Sequence, residues 1–130
     1  MANTYLLEVV TPSGKFFEGE VYMVIATTVD GDIGILKGHA SLVTPLGFGK
    51  LRVFKSPNDL ILSSTIERGF LFVHEDKVVI VTDNAQKPEE IDVAKEKSRV
   101  EKLKNIENKN TLEKMQLIRS INRIKVAEKQ

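Results

Sequence analysis

All eight glycines and all eight aromatic residues of this chain lie before Lys87, and that asymmetry limits the possible folds more than any other feature. Turn-forming and large core-forming residues are confined to one stretch, and the rest of the chain has neither. Two unlike units follow, residues 1–86 and 87–130. Charge divides at the same place. Up to Gln86 there are seven Lys/Arg against ten Asp/Glu, and beyond it twelve against eight, so a net charge of +1 conceals an acidic body and a basic tail.

The first unit reads as short extended runs separated by turn residues: TYLLEVV, then PSG, KFFEG, EVYMVIATTV and DGD, with LRVF, LILSSTI, FLFVHE and VVIVTD after them. Turn signals at about every 8 to 12 residues predict antiparallel sheets folded into a sandwich or barrel. SPND and Glu67-Arg68-Gly69 are expected to be turns between strands, and Gly47-Phe48-Gly49-Lys50 a turn leading into LRVF. No βαβ crossover is visible.

At Pro88 the period changes. Proline followed by Glu89 and Glu90 predicts a helix start, because proline at the first helical position gives up no needed N–H and acids favour the positive end of the dipole. This helix is expected to run to about Ile106. Asn110 with Glu113 three residues later resembles a capping box and predicts a second helix to about Glu128. The expected fold class is therefore α+β, mainly β: an N-terminal antiparallel β-sandwich followed by a C-terminal α-helical hairpin.

The hairpin is poor in apolar residues. Its second helix offers one stripe, Leu117, Ile118, Ile121 and Ile124, and its first only Ile91, Val93, Ala94, Val100, Leu103 and Ile106, loosely spread. A module of about 40 residues without staples buries too little surface to offset its ordering entropy. These helices must lean on the sandwich or on another protein, which makes them a natural movable element.

Catalytic signatures are missing. The glycines between Asp30 and Val53 do not have phosphate-loop spacing, and Leu51 follows Lys50 where Ser or Thr is required. Gly31, Gly34 and Gly38 do not fit a dinucleotide fingerprint. His39 and His74, the only histidines, have no second ligand at metal-binding spacing, so no metal site is expected; His74 reads as an exposed strand-end residue. No G-x-S-x-G elbow occurs, and the chain has no cysteine, which fits a reducing compartment. No apolar run approaches the ~20 residues of a transmembrane helix, and MANTYLLEVV has no basic region before its apolar residues, so membrane contact is expected only through a partner. Interleaved acids in the tail disfavour nucleic-acid binding. Arg119 and Arg123 lie one turn apart, as do Asp92 and Lys95. Such charges usually decorate solvated faces. Alternatively, two arginine forks with an acid across the hairpin suit a nucleotide.

GDIGILKGHASLVTPLGFGKLRV resembles the G-[DE]-x-G-[IV]-x-x-GHAP-[LM] signature and following G-x-[LIV]-R-[LIV] strand of the epsilon subunits of F-type ATP synthases, with Ser41 where proline is usual. Gly69-Phe70 through DKVVIVTDNAQKPEEID and the terminal NRIKVAE extend the resemblance over nearly the whole chain. It implies a non-catalytic rotor subunit at the foot of the central stalk. There the sandwich would bind the gamma subunit and the c-ring, while the active sites belong to the alpha and beta subunits. Gly31, Asp32, Ile33 and Gly34 would form the turn facing the c-ring, with His39 close by. The implied location is the cytoplasmic face of the bacterial cell membrane, peripheral and held there through the complex.

In bacterial relatives the hairpin is held to exchange between a compact form on the sandwich and an extended form that inhibits ATP hydrolysis. Lys114, Arg119, Arg123 and Lys125 are the expected contacts with acidic loops of the beta subunits. Some relatives bind regulatory ATP through an [IL]-D-x-x-R-A motif and later arginines. Ile91, Asp92, Arg119 and Arg123 match, but Lys95 and Glu96 stand in place of the Arg-Ala pair. Lysine lacks the planar fork, and Glu96 adds negative charge where phosphates would lie. Rival readings are a free-standing nucleotide-sensing module, which would purify without gamma and the catalytic head, and a small β-sandwich enzyme, which would turn over in isolation.

Overall fold

The structure is a computed structural model that describes residues 3–128. Seven strands run β1 (Tyr5–Thr11), β2 (Gly14–Val21), β3 (Met23–Thr28), β4 (Gly31–Leu36), β5 (Leu42–Ser56), β6 (Asp59–His74) and β7 (Lys77–Thr82). A 3₁₀ turn at Pro88–Glu90 leads to two helices, α1 (Val93–Lys104) and α2 (Thr111–Ala127). The strands form one hydrogen-bonded sheet in the order β2-β1-β7-β6-β5-β3-β4. This sheet folds over on itself. The Tyr5 hydroxyl of β1 donates to the Ile35 carbonyl of β4 at 2.6 Å, a bond between strands far apart in the sheet order. Burial raises the pKa of this phenol far beyond the usual tyrosine range.

Strict alternation decides which faces meet. Tyr5, Leu7 and Val9 of β1 and Val78 and Ile80 of β7 point inward, against Val24, Ala26, Ile35, Leu51 and Val53. Residues such as Leu7, Leu51, Leu71 and Ile80 are fully buried, each stabilising the fold by about 1.5–3 kcal/mol relative to exposure.

Three sequence expectations need correction. SPND does close a hairpin, but Gly47-Phe48-Gly49-Lys50 is not a turn; it lies inside β5, which continues without a break from Leu42 to Ser56. Gly49 is required there by close approach, since a Cβ would fall 2.1 Å from the Thr27 hydroxyl oxygen. Glu67-Arg68-Gly69 likewise lies inside β6, where positive φ at Arg68 and Gly69 bends the strand without ending it. Finally, β1 and β7 pair parallel, so the sandwich is antiparallel everywhere except at this one seam.

The Asn110–Glu113 capping box is present in full and opens α2. The first helix begins later and ends earlier than the sequence suggests. Pro88 opens only the 3₁₀ turn, Ile91 becomes extended and buries its side chain, and Asp92 then caps α1 by accepting the Lys95 N–H at 3.1 Å. Asn105 ends it. In α2 the anticipated stripe is displaced. Ile118 is exposed, Leu117, Ile121 and Ile124 are half-buried, and Val126 is the deepest apolar residue.

Candidate functional site

Two regions collect the residues singled out by sequence. The first is β4, an edge strand whose outer side has no partner strand among the described residues. Gly31 to Gly34 therefore belong to a strand, and the turn precedes them. In that turn Thr28 Oγ1 accepts the Asp30 N–H at 3.1 Å and donates to the Gly31 carbonyl at 2.6 Å, while Gly31 takes φ +112°. Asp32 points outward. Its carboxylate accepts the Thr27 hydroxyl at 2.8 Å, and Thr27 Oγ1 in turn accepts the Lys50 N–H of β5 at 3.1 Å. The acid is thus aimed by a chain of bonds that reaches into the sheet. Ile33 faces the other way and packs against the core. His39 lies past the end of β4, with its backbone N–H bonded to the Leu36 carbonyl and Nδ1 2.7 Å from the Ala40 oxygen, which places a proton on Nδ1.

The second region is where the hairpin meets the sheet. Two buried carboxylates, Glu67 of β6 and Glu96 of α1, face two arginines of α2. Arg119 Nη2 reaches one oxygen of Glu67 at 2.7 Å, and Arg123 Nη2 reaches the other at 2.8 Å. Arg123 Nη1 then turns to Glu96 at 3.3 Å, so one guanidinium joins β6, α1 and α2. Glu96 also receives Arg99 at 3.1 Å and the Ser120 hydroxyl at 3.3 Å. The Asn122 amide donates to the Gly49 carbonyl of β5. Glu67 itself is fixed from behind, with its N–H donating to Thr82 Oγ1 at 3.1 Å and that hydroxyl shared between the Glu67 and Asn84 carbonyls.

Arg119 and Arg123 are therefore not solvated decoration, because carboxylates of this chain engage the Nη2 of each, while the buried Nε of both has no hydrogen-bond partner among the described residues. Neither Asp92 nor Lys95 bonds to these arginines among the described residues; Asp92 serves as the helix cap, and Lys95 is exposed. Beside the network lies a cleft of about 470 Å³ between α1 and α2, rimmed by Arg99, Lys102 and Arg119. Lys114 and Lys125 are exposed on α2. Sequence reasoning missed Glu67 altogether and took Glu96 only as an obstacle to phosphates. The available signal was Glu96 and Arg99 at i, i+3 on the face of α1 that also carries Leu103. Among the described residues no cluster of His, Cys, Asp and Glu is placed to hold a metal ion, and no helix is long and apolar enough to cross a membrane.

Residues 4–88 match the family model described as ATP synthase, Delta/Epsilon chain, beta-sandwich domain. The ATP synthase epsilon chain of Caldanaerobacter subterraneus subsp. tengcongensis is 40% identical over 136 residues, covering 99% of this chain and 97% of the relative. That of Alkaliphilus metalliredigens is 44% identical over 95 residues, covering 73% and 69%. Among solved structures, a chain of the Euglena gracilis mitochondrial ATP synthase (OSCP/F1/c-ring, rotational state 1) superposes with a TM-score of 0.76 at 22% identity, over 98% of this chain and 79% of that one. At that identity the likeness establishes the fold.

Proposed function

This chain belongs to the delta/epsilon family of ATP synthase subunits, non-catalytic parts of the stalk, and from that premise we propose that it couples c-ring rotation to the catalytic head and restrains ATP hydrolysis through its hairpin. The two units divide this work. Residues 1–86 form the body that binds gamma and the c-ring, and residues 87–130 form the regulatory lever. The assembly holds the chain at the cytoplasmic face of the bacterial membrane.

One observation carries the regulatory part. Arg119 and Arg123, two of the cations suited to acidic loops of the beta subunits, are engaged by Glu67 and Glu96 when the hairpin lies on the sheet. Docking and inhibition compete for the same guanidiniums, so the two states exclude each other. Lys114 and Lys125, exposed in the docked state, supply the attraction that starts the exchange. Deleting residues 88–130 from the assembled enzyme is expected to raise its ATP hydrolysis rate. An unchanged rate in a fully assembled complex would remove the inhibitory role.

Asp32 is the contact residue on the c-ring side, because it projects from an edge strand and is aimed by Thr27. Gly34 leaves the strand beside it bare for close approach, and His39 flanks the far end. Asp32→Ala is expected to weaken binding of the isolated stalk to the c-ring by at most about five-fold, the range of an exposed ion pair. Binding unchanged at low salt would exclude Asp32 from the interface.

A further inference from the structure

Arginine pairs one turn apart on a helix grip a phosphate by giving one N–H fork to each of two oxygens. The Glu67 carboxylate sits between Arg119 and Arg123 and takes a single donor from each, one oxygen to each Nη2, at 2.7 and 2.8 Å. It comes from the sandwich and not from the hairpin, its side chain is only 4% exposed, and Thr82 fixes its backbone. Glu96, from the other helix, takes the remaining Nη1 of Arg123. Two buried carboxylates thus meet the two α2 arginines, of which Arg123 is largely buried and Arg119 is 35% exposed.

We infer that Glu67 is a built-in counter-anion: it occupies the place of a ligand phosphate, so the hairpin closes on the sandwich without any bound nucleotide. Closure then answers to partner contact and not to nucleotide concentration. An incoming phosphate meets a filled site. From the cleft it can approach Arg99, Lys102 and Arg119, but to take the Nη2 donors of Arg119 and Arg123 it must displace a carboxylate fixed to the sheet. The inference rests on the hairpin being the movable element, and it specifies what holds that element at rest.

The 130-residue chain provides the test. It has no cysteine, so a dye pair at the exposed positions Lys55→Cys and Lys114→Cys reports closure, and inorganic pyrophosphate is the anion probe. The parent protein is expected to be closed without pyrophosphate and to keep its dye distance when pyrophosphate is added. Glu67→Gln keeps the side-chain volume but removes the charge. It is expected to open the hairpin, to bind pyrophosphate at least about ten-fold more tightly than the parent by calorimetry, and to close again when it does so. Arg119→Gln, a change on the hairpin alone, is expected to open it without gaining pyrophosphate affinity. The near-ultraviolet signal of buried Tyr5 verifies that the sandwich stays folded in each variant. A parent protein that closes only when pyrophosphate is added would overturn the inference, as would Glu67→Gln binding no tighter than the parent. So would an equal gain in Arg119→Gln. None of these outcomes bears on the deletion experiment, which is read in the assembled enzyme and tests the inhibitory role separately.

Discussion

Replacing Gly69 by valine is expected to unfold the sandwich near physiological temperature. Gly69 takes φ +122°, a region that L-residues with side chains rarely enter, and a Cβ there would fall 1.9 Å from the Val81 carbonyl oxygen and 2.9 Å from Thr82 Cα. Both neighbours are backbone atoms of β7, so no rotamer change relieves the clash. The strands would have to separate where Gly69 pairs with Thr82, at one end of the β6–β7 ladder. Backbone strain of about 1–3 kcal/mol adds to overpacking of similar size, giving a cost of about 2–6 kcal/mol, toward the upper end because the clash is with fixed backbone. Total stability is on the order of 5–15 kcal/mol, so the melting temperature of a unit this small should drop by about 20 °C or more. Gly38→Ala is the control. Its φ is +84°, but nothing lies within 4 Å of the added Cβ, and only about 1 kcal/mol should be lost. Calorimetry showing Gly69→Val within a few degrees of the parent would mean that β6 and β7 are not locked at this point.

Gly69 also shows where the sequence was legible and where it was not. The alternation in β1 and β7 states its inward faces outright, and the Asn110–Glu113 box marks the start of α2 to the residue, because both signals are local. Glycine is ambiguous. Gly31 and Gly69 both have positive φ, yet one opens β4 at a turn and the other bends a strand that continues. Gly49 is in a strand because Thr27 of the next strand leaves no room for a Cβ. Only the neighbouring strand distinguishes these cases, and no single segment encodes its neighbour. The parallel seam between β1 and β7 was hidden for the same reason, since the two strands lie at opposite ends of the first unit.

The second region was legible only in part. Arg119 and Arg123 stood out by spacing, and the family resemblance gave them a ligand. Glu67 gave no warning, because an acid next to Arg68 and Gly69 looks like a solvated turn residue. Its burial follows from the bend at Arg68 and Gly69, which lets β6 continue beneath α2 where a turn would have carried the acid into solvent. The feature that keeps the strand continuous thus also supplies the counter-anion.

Removing the shared guanidinium is expected to release the hairpin while leaving the sandwich intact. The Arg123 side chain is 13% exposed and bonds to both Glu67 and Glu96, which are themselves only 4% and 5% exposed. Arg123→Ala leaves two desolvated carboxylates short of a partner, and breaking a buried pair in this way costs about 3–5 kcal/mol. Arg119 still faces Glu67, and Arg99 and Ser120 still reach Glu96, so the lower end of that range applies. Against this loss the docked helices retain the Arg119–Glu67 pair, the buried apolar contacts of Ile91, Leu103 and Val126, and the Asn122 bond to Gly49. A loss of about 3 kcal/mol corresponds to roughly two decades in the docking equilibrium. Amide hydrogen exchange can read this directly. Protection across Val93–Lys104 and Thr111–Ala127 should fall by about a hundred-fold, while the amides of Leu7 and Ile80 in the core keep theirs. Arg123→Lys retains the charge without the fork and should restore only part of that protection, because an ammonium does not span both carboxylates as the planar group does. Hairpin protection unchanged in Arg123→Ala would show that apolar contacts alone hold the helices down. An equal loss in both units would show that the network stabilises the whole fold instead of the docked lever.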